Sequence, residues 1–261
     1  MRNKGVRLVL FVLAGSVFLF SLYKISEYLL EMRAGSKQNE ALIQMAVVTV
    51  PRETESTPQV ESTDDTTSEE EIPRVIAPIQ VDFESLRKEN PDVIGWLYCA
   101  DTKINYPVVQ GEDNEYYLHR LLDGTSNASG TLFLDYRNEA DLSDWNSVIY
   151  GHNMKNKTMF GSVTGYKKQA YYDEHPEMYL LTPERDYLIK LVAGVVTKSD
   201  SDVFNEFNPS DGERATLLQN WLDASTFVSQ IEPNPNDRFI TLSTCSYEYS
   251  NARFVLIGVI E

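Results

Sequence analysis

The chain is poor in the residues on which metal and redox chemistry rest. Its 261 residues include two cysteines, Cys99 and Cys245, and three histidines, His119, His152 and His175. Two cysteines do not make a disulfide framework. A Cys99–Cys245 bridge is chemically possible in an oxidising compartment, but it would consume the thiol discussed below. One His beside one Cys is not a zinc set, and the acids after residue 81 lack the spacing of a calcium loop. No metal and no cofactor are therefore expected. There is no Gly-rich phosphate loop, no dinucleotide fingerprint and no internal repeat. Positive charge is scarce: 23 Lys and Arg stand against 39 Asp and Glu, a net −16. Nucleic acid, which needs a basic face, is not an expected partner.

The negative charge is unevenly spread. From Glu53 to Glu71 there are eight acids and no base. Residues 35–80 are polar and nearly free of large apolar side chains over much of their length, so they bury too little to offset ordering entropy. They are expected to be an acidic, disordered linker. Before them, Arg2, Lys4 and Arg7 precede Leu8 to Tyr23, sixteen residues without a charge. That is short of the ~20 residues that span hydrocarbon, but Arg7 and Lys24 can snorkel to the interfaces. No small-x-small cleavage site follows cleanly. Lys24 to Met32 continues as an amphipathic helix. Residues 1–34 thus read as a cytoplasmic tip, an uncleaved transmembrane anchor and a juxtamembrane helix. The basic N-terminal flank predicts a cytoplasmic N-terminus and an extracellular remainder.

Residues 81–261 read as one globular domain. Asp82 caps a short helix through Lys88. Val93–Tyr98 and Ile104–Val109 are predicted strands around Asp101-Thr102-Lys103, and Asp113–Leu122 is predicted helical. Strands are expected at Thr131–Leu134 and Ser147–Tyr150, and short helices within Thr158–Ala170. Glu177–Leu181 and Tyr187–Thr197 should pair. Ser210–Thr226 is the clearest helix, with Leu217, Leu218, Trp221 and Leu222 on one face. Many short strands with turn signals and a few helices predict a mostly β fold, a barrel with helical insertions.

The chemistry concentrates at strand ends. The alternation Arg238-Phe239-Ile240 runs into Thr241-Leu242-Ser243-Thr244-Cys245, and after a polar turn Arg253 opens Phe254–Ile260. A buried strand cysteine is ordinarily a small hydrophobe. Cys245 instead has polar neighbours and an arginine carried back beside it. A thiol titrates near 8.5 and is activated by a cation or a His partner. In Ser147-Val148-Ile149-Tyr150-Gly151-His152-Asn153-Met154 a second apolar run stops at a Gly and delivers His152.

Thr-Leu-x-Thr-Cys, an Arg eight positions later and an upstream Tyr-Gly-His resemble the signature of sortases, the cysteine transpeptidases of Gram-positive cell envelopes. Four features are most similar to class B: Ser243 within the Cys motif, the Ile104–Gln110 segment, the Gly130–Asp135 segment and the Tyr-Gly-His-Asn-Met run. The likeness covers about Asp82 to Glu261. It implies a sortase-type closed β-barrel, with the longer helix inserted before the Cys strand. It also implies Cys245 as nucleophile, His152 as general acid and base, and Arg253 as donor to the oxyanion. Tyr150, Ser243, Thr244, Asn114 and Leu118 match positions lining the substrate groove. Asp135 matches a motif without an evident role, and Cys99 reads as structural. The implied partners are secreted proteins bearing a C-terminal sorting motif and a cell-wall amine, from a peptidoglycan precursor or cross-bridge. Rivals are a pilus-assembling sortase, a cysteine peptidase with water as acceptor, and a catalytically silent binding module. Pilus enzymes usually carry a C-terminal apolar anchor, whereas this chain ends at Ile260-Glu261.

Overall fold

The computed structural model describes residues 2–49, 77–204 and 207–261. The chain opens with α1 (Arg2–Ala46) and β1 (Val47–Thr49), followed by β2 (Ile79–Val81) and α2 (Phe83–Glu89). Then come β3 (Val93–Tyr98), β4 (Asn105–Val109), β5 (Leu132–Leu134) and β6 (Asn146–Tyr150). After α3 (Gln169–Glu174) run β7 (Glu177–Leu181) and β8 (Asp186–Lys198). The chain closes with α4 (Asp211–Asp223), β9 (Phe239–Cys245) and β10 (Ala252–Ile260). Strands β3 to β10 form a closed barrel in the order β10-β8-β7-β3-β4-β5-β6-β9, and β9 pairs with β10 to close it. Closure leaves the barrel strands β3 to β10 no free edge to template aggregation.

The barrel strands alternate. Leu97, Val108, Leu134, Ile149, Leu242 and Leu256 belong to the interior cluster. Phe239, Val255 and Ile257 face outward, beneath Leu217, Leu218 and Trp221 of α4. There Trp145 stacks on Trp221, with ring centroids 5.2 Å apart. The helix expected before the Cys strand is thus α4, lying between β8 and β9 and closed at its start by the Ser210 amide donating to Glu213 Oε2 (2.9 Å).

Two expectations need adjustment. First, α1 does not end near residue 34. It runs on to Ala46 because its second half has something to pack on: Leu42 and Ala46 are buried with Ile79, Leu86, Val93 and Trp96. Asp82 N donates to Ala46 O (2.8 Å), and Asn127 Nδ2 donates to Glu31 O (2.9 Å). Residues 35–49 are therefore helix and strand, while the acidic stretch within 50–76 lies outside the described residues. Second, Asp113–Leu122 holds only a 3-10 turn at Tyr117–His119. Its carbonyls serve the neighbouring loop instead of a helix: Tyr117 O accepts from Thr131 N (3.0 Å) and His119 O from Asn127 N (3.0 Å). The short helices expected within Thr158–Ala170 are a 3-10 turn at Val163–Lys167 and the start of α3 at Gln169.

The run Leu8–Tyr23 lies on the part of α1 that is exposed among the described residues. A helix long and apolar enough to cross a membrane occupies Val6–Ala46, and its most apolar stretch is not buried against the protein.

Candidate active site

Cys245 and Arg253 form a directly opposed pair in the antiparallel β9–β10 ladder. Opposed residues put their Cβ atoms roughly 4.5–5.5 Å apart on one face. Both side chains are partly exposed. On its other side β9 runs parallel to β6, with Tyr150 level with Ser243. His152 and Cys245, each two residues further on, therefore leave the barrel at the same end. Three hydrogen bonds hold the strand ends in step. Gly151 N donates to Ser243 O (3.1 Å), Thr244 Oγ1 to Gly151 O (2.7 Å), and Asn153 Nδ2 to Cys245 O (2.8 Å). Gly151 is required for close approach. A Cβ there would lie 2.4 Å from Leu132 Cδ2 and 2.7 Å from Phe160 Cδ2.

The imidazole of His152 is oriented by a backbone group. Its Nε2 lies 2.7 Å from Leu118 O. A carbonyl only accepts, so Nε2 carries the hydrogen and Nδ1 is left as the basic nitrogen. Burial disfavours the charged ring and pulls the His152 pKa below the usual histidine value. The Leu118 bond opposes that shift, and nearby His119 adds to it. His119, which has no family context in the sequence, is thus a neighbour of His152, with ring centroids 5.9 Å apart. His175 packs elsewhere, against Tyr171.

The remaining sequence-predicted residues take varied places. Ser243 is buried, and its Oγ has no hydrogen-bond partner among the described residues. Thr244 is also buried, and its hydroxyl donates to Gly151 O, which ties β9 to β6. Leu118 enters through its carbonyl. Asn114 Oδ1 accepts from Tyr136 N (3.1 Å). Tyr150 packs between Phe133 and Phe204 and donates its hydroxyl to Asp135 Oδ2 (2.9 Å). That bond gives Asp135 a role. Its carboxylate is fully buried and accepts from Arg137 Nε (2.9 Å) and Nη2 (2.8 Å) as well. Burial would raise its pKa, but the bonds from Arg137 and Tyr150 outweigh it and hold the group below the carboxylate range. Cys99 is buried, its thiol pushed up by desolvation, and both cysteines are free.

Sequence reasoning missed Asn153, Arg137 and the Leu118 carbonyl. Asn153 was visible as the residue beside His152, but nothing in the sequence says it reaches Cys245. A cavity of about 440 Å³ lies between α1 and β4, where Asn39, Ile43, Asn105 and Tyr106 line it.

The family model described as "Sortase domain" matches residues 97–261. The chain belongs to the sortase family. The sortase B of Listeria monocytogenes is 31% identical over 256 residues, covering 97% of this chain and 95% of that protein. The barrel superposes on a Staphylococcus aureus sortase B–substrate complex with a TM-score of 0.65 at 30% identity, over 69% of this chain and 84% of that one. A sortase B complexed with triglycine gives 0.64 at 30% identity, over 69% and 85%. These likenesses put this enzyme in class B, among the cysteine transpeptidases.

Proposed function

We propose that this sortase is anchored in the membrane by α1, with its barrel outside the cell. There it cleaves a C-terminal sorting motif of secreted proteins, after Thr or a similar residue, and passes the acyl group to a cell-wall amine. Cys245 Sγ attacks the scissile carbonyl as its proton passes to His152 Nδ1. Arg253 donates to the oxyanion that forms. The C–N bond then breaks, and the imidazolium protonates the leaving amine. A thioacyl group remains on Cys245. The second amine attacks this thioester, gives its proton to His152, and the C–S bond breaks. Tyr150, Ser243, Asn114 and Leu118 border the groove that receives the motif.

The observation that carries this reading is the ladder register. Cys245 faces Arg253 across β9–β10, while Tyr150 beside Ser243 brings His152 to the same barrel end. The N-terminal topology rests on the apolar helix and its basic flank. The relative bound to triglycine makes a glycine-type amine the first acceptor to try. The test incubates the full chain in detergent with sorting-motif peptides and triglycine, followed by mass spectrometry. An amide product supports the transpeptidase. Free acid alone indicates a peptidase. No cleavage of any peptide overturns the reading.

A further inference from the structure

The site sits at the end of a strand ladder. Cys245 and Arg253 are the last pair of the β9–β10 ladder. Beyond them the connection from Tyr247 to Asn251 is exposed. Ladder ends fray unless something ties them down. Ser246 N donates to Ala252 O (3.0 Å), Asn153 holds the Cys245 carbonyl, and a further, side-chain tie comes from the distant 3-10 turn at Val163–Lys167, whose last residue lies 79 positions before Ser246. Lys167 Nζ donates to Ser246 Oγ (2.6 Å) and pairs with Glu248. Ser246 Oγ donates in turn to Glu248. The same ammonium lies 5.4 Å from the centre of the Phe254 ring. It therefore touches the residue after Cys245 and the residue after Arg253. Its own mount is rigid. Tyr166 is fully buried and bonds through its hydroxyl to His175 O (2.8 Å), and its carbonyl accepts from Thr226 Oγ1 (2.8 Å).

We propose that Lys167, with Glu248 and Ser246, is a positioning residue that fixes Arg253 against the Cys245 thiol. The triad is electrically neutral as a whole, one ammonium against one carboxylate, so its contribution is geometric. The carboxylate stays ionised throughout the working range: the bonds from Lys167 and Ser246 lower the Glu248 pKa to about 2.

This inference rests on the transpeptidase reading, and its test separates the two. Lys167→Met and Glu248→Gln are compared with the parent as full-length enzyme, measuring kcat, KM and the midpoint of thermal unfolding. If position is what matters, both variants lose about 10- to 100-fold in kcat, with KM and the melting midpoint close to the parent's. The double variant then loses no more than either single one. A purely electrostatic action on the thiol would instead move the two variants in opposite directions. That result would overturn the proposal, as would kcat within about twofold of the parent in Glu248→Gln, or losses that add in the double variant. Glu248 sits on an exposed turn, so its variant folds even if Lys167→Met does not. A parent that turns over no peptide would sink the transpeptidase reading itself.

Discussion

Replacing Asp135 by Asn tests how the β6 end is held. The carboxylate is fully buried and accepts from Arg137 N, Nε and Nη2 and from Tyr150 OH, at 2.8–3.0 Å. Asn keeps one oxygen for Arg137 but puts an NH2 where Oδ2 met Arg137 Nη2 and Tyr150 OH; the Tyr150 hydroxyl can turn to accept from that NH2, whereas Arg137 Nη2 cannot. One charge-assisted bond is lost, worth about 1.5–3 kcal/mol. The Arg137 side chain is 39% exposed, so its charge rehydrates and the cost falls toward the lower end, about 2 kcal/mol. For a domain of this size that lowers the thermal midpoint by roughly 4–8 °C. The sign with pH follows from the lowered carboxylate pKa. Its stabilisation is complete above the unfolded value of about 3.9, and it is lost as pH falls through the still lower folded value. The gap between parent and variant should therefore be constant near neutrality and narrow in acid. Calorimetry of both proteins across pH measures it. A midpoint within about 1 °C of the parent at pH 7, or a gap that widens on acidification, would refute the reasoning.

Arg253→Lys should lose on the order of 3 kcal/mol of transition-state stabilisation, roughly a hundredfold in kcat, because an ammonium lacks the guanidinium fork; near-parental turnover would remove Arg253 from the mechanism. Iodoacetamide on the native enzyme should label Cys245 and leave Cys99, which is buried with its thiol pushed up; tryptic mapping decides between them. The His152 ring should titrate below the usual 6.5 because burial disfavours its charge and outweighs the opposing Leu118 bond, and an NMR titration giving a value at or above that would contradict the burial of the ring. Asn153→Ala should lower turnover about tenfold by releasing the Cys245 carbonyl, whereas His175→Ala, remote from the site, should leave it unchanged.

The barrel was legible because its strands alternate in composition and are punctuated by turns. Leu242 goes inward and Phe239 outward along the same strand, and Gly151 ends its apolar run with an identifiable steric reason. The Cys245–Arg253 pairing could be anticipated because a hairpin is local. The failures are non-local. Nothing within residues 35–46 announces that Leu42 and Ala46 dock beside Trp96, so polarity alone made a linker of them. The 113–122 stretch has helical composition, but tertiary hydrogen bonds claim its carbonyls. Lys167 reaches Ser246 across a separation that no local pattern encodes. Thr244 likewise donates its hydroxyl to Gly151 O, a contact no local pattern encodes.

Withholding the acceptor amine gives the most direct measurement. With a cleavable sorting peptide alone, intact-mass and peptide mapping should find the acyl portion on Cys245 as a thioester, discharged when triglycine is added and missing from Cys245→Ala. Product formed at the parental rate by Cys245→Ala, or an acyl group carried on any other side chain, would contradict the account.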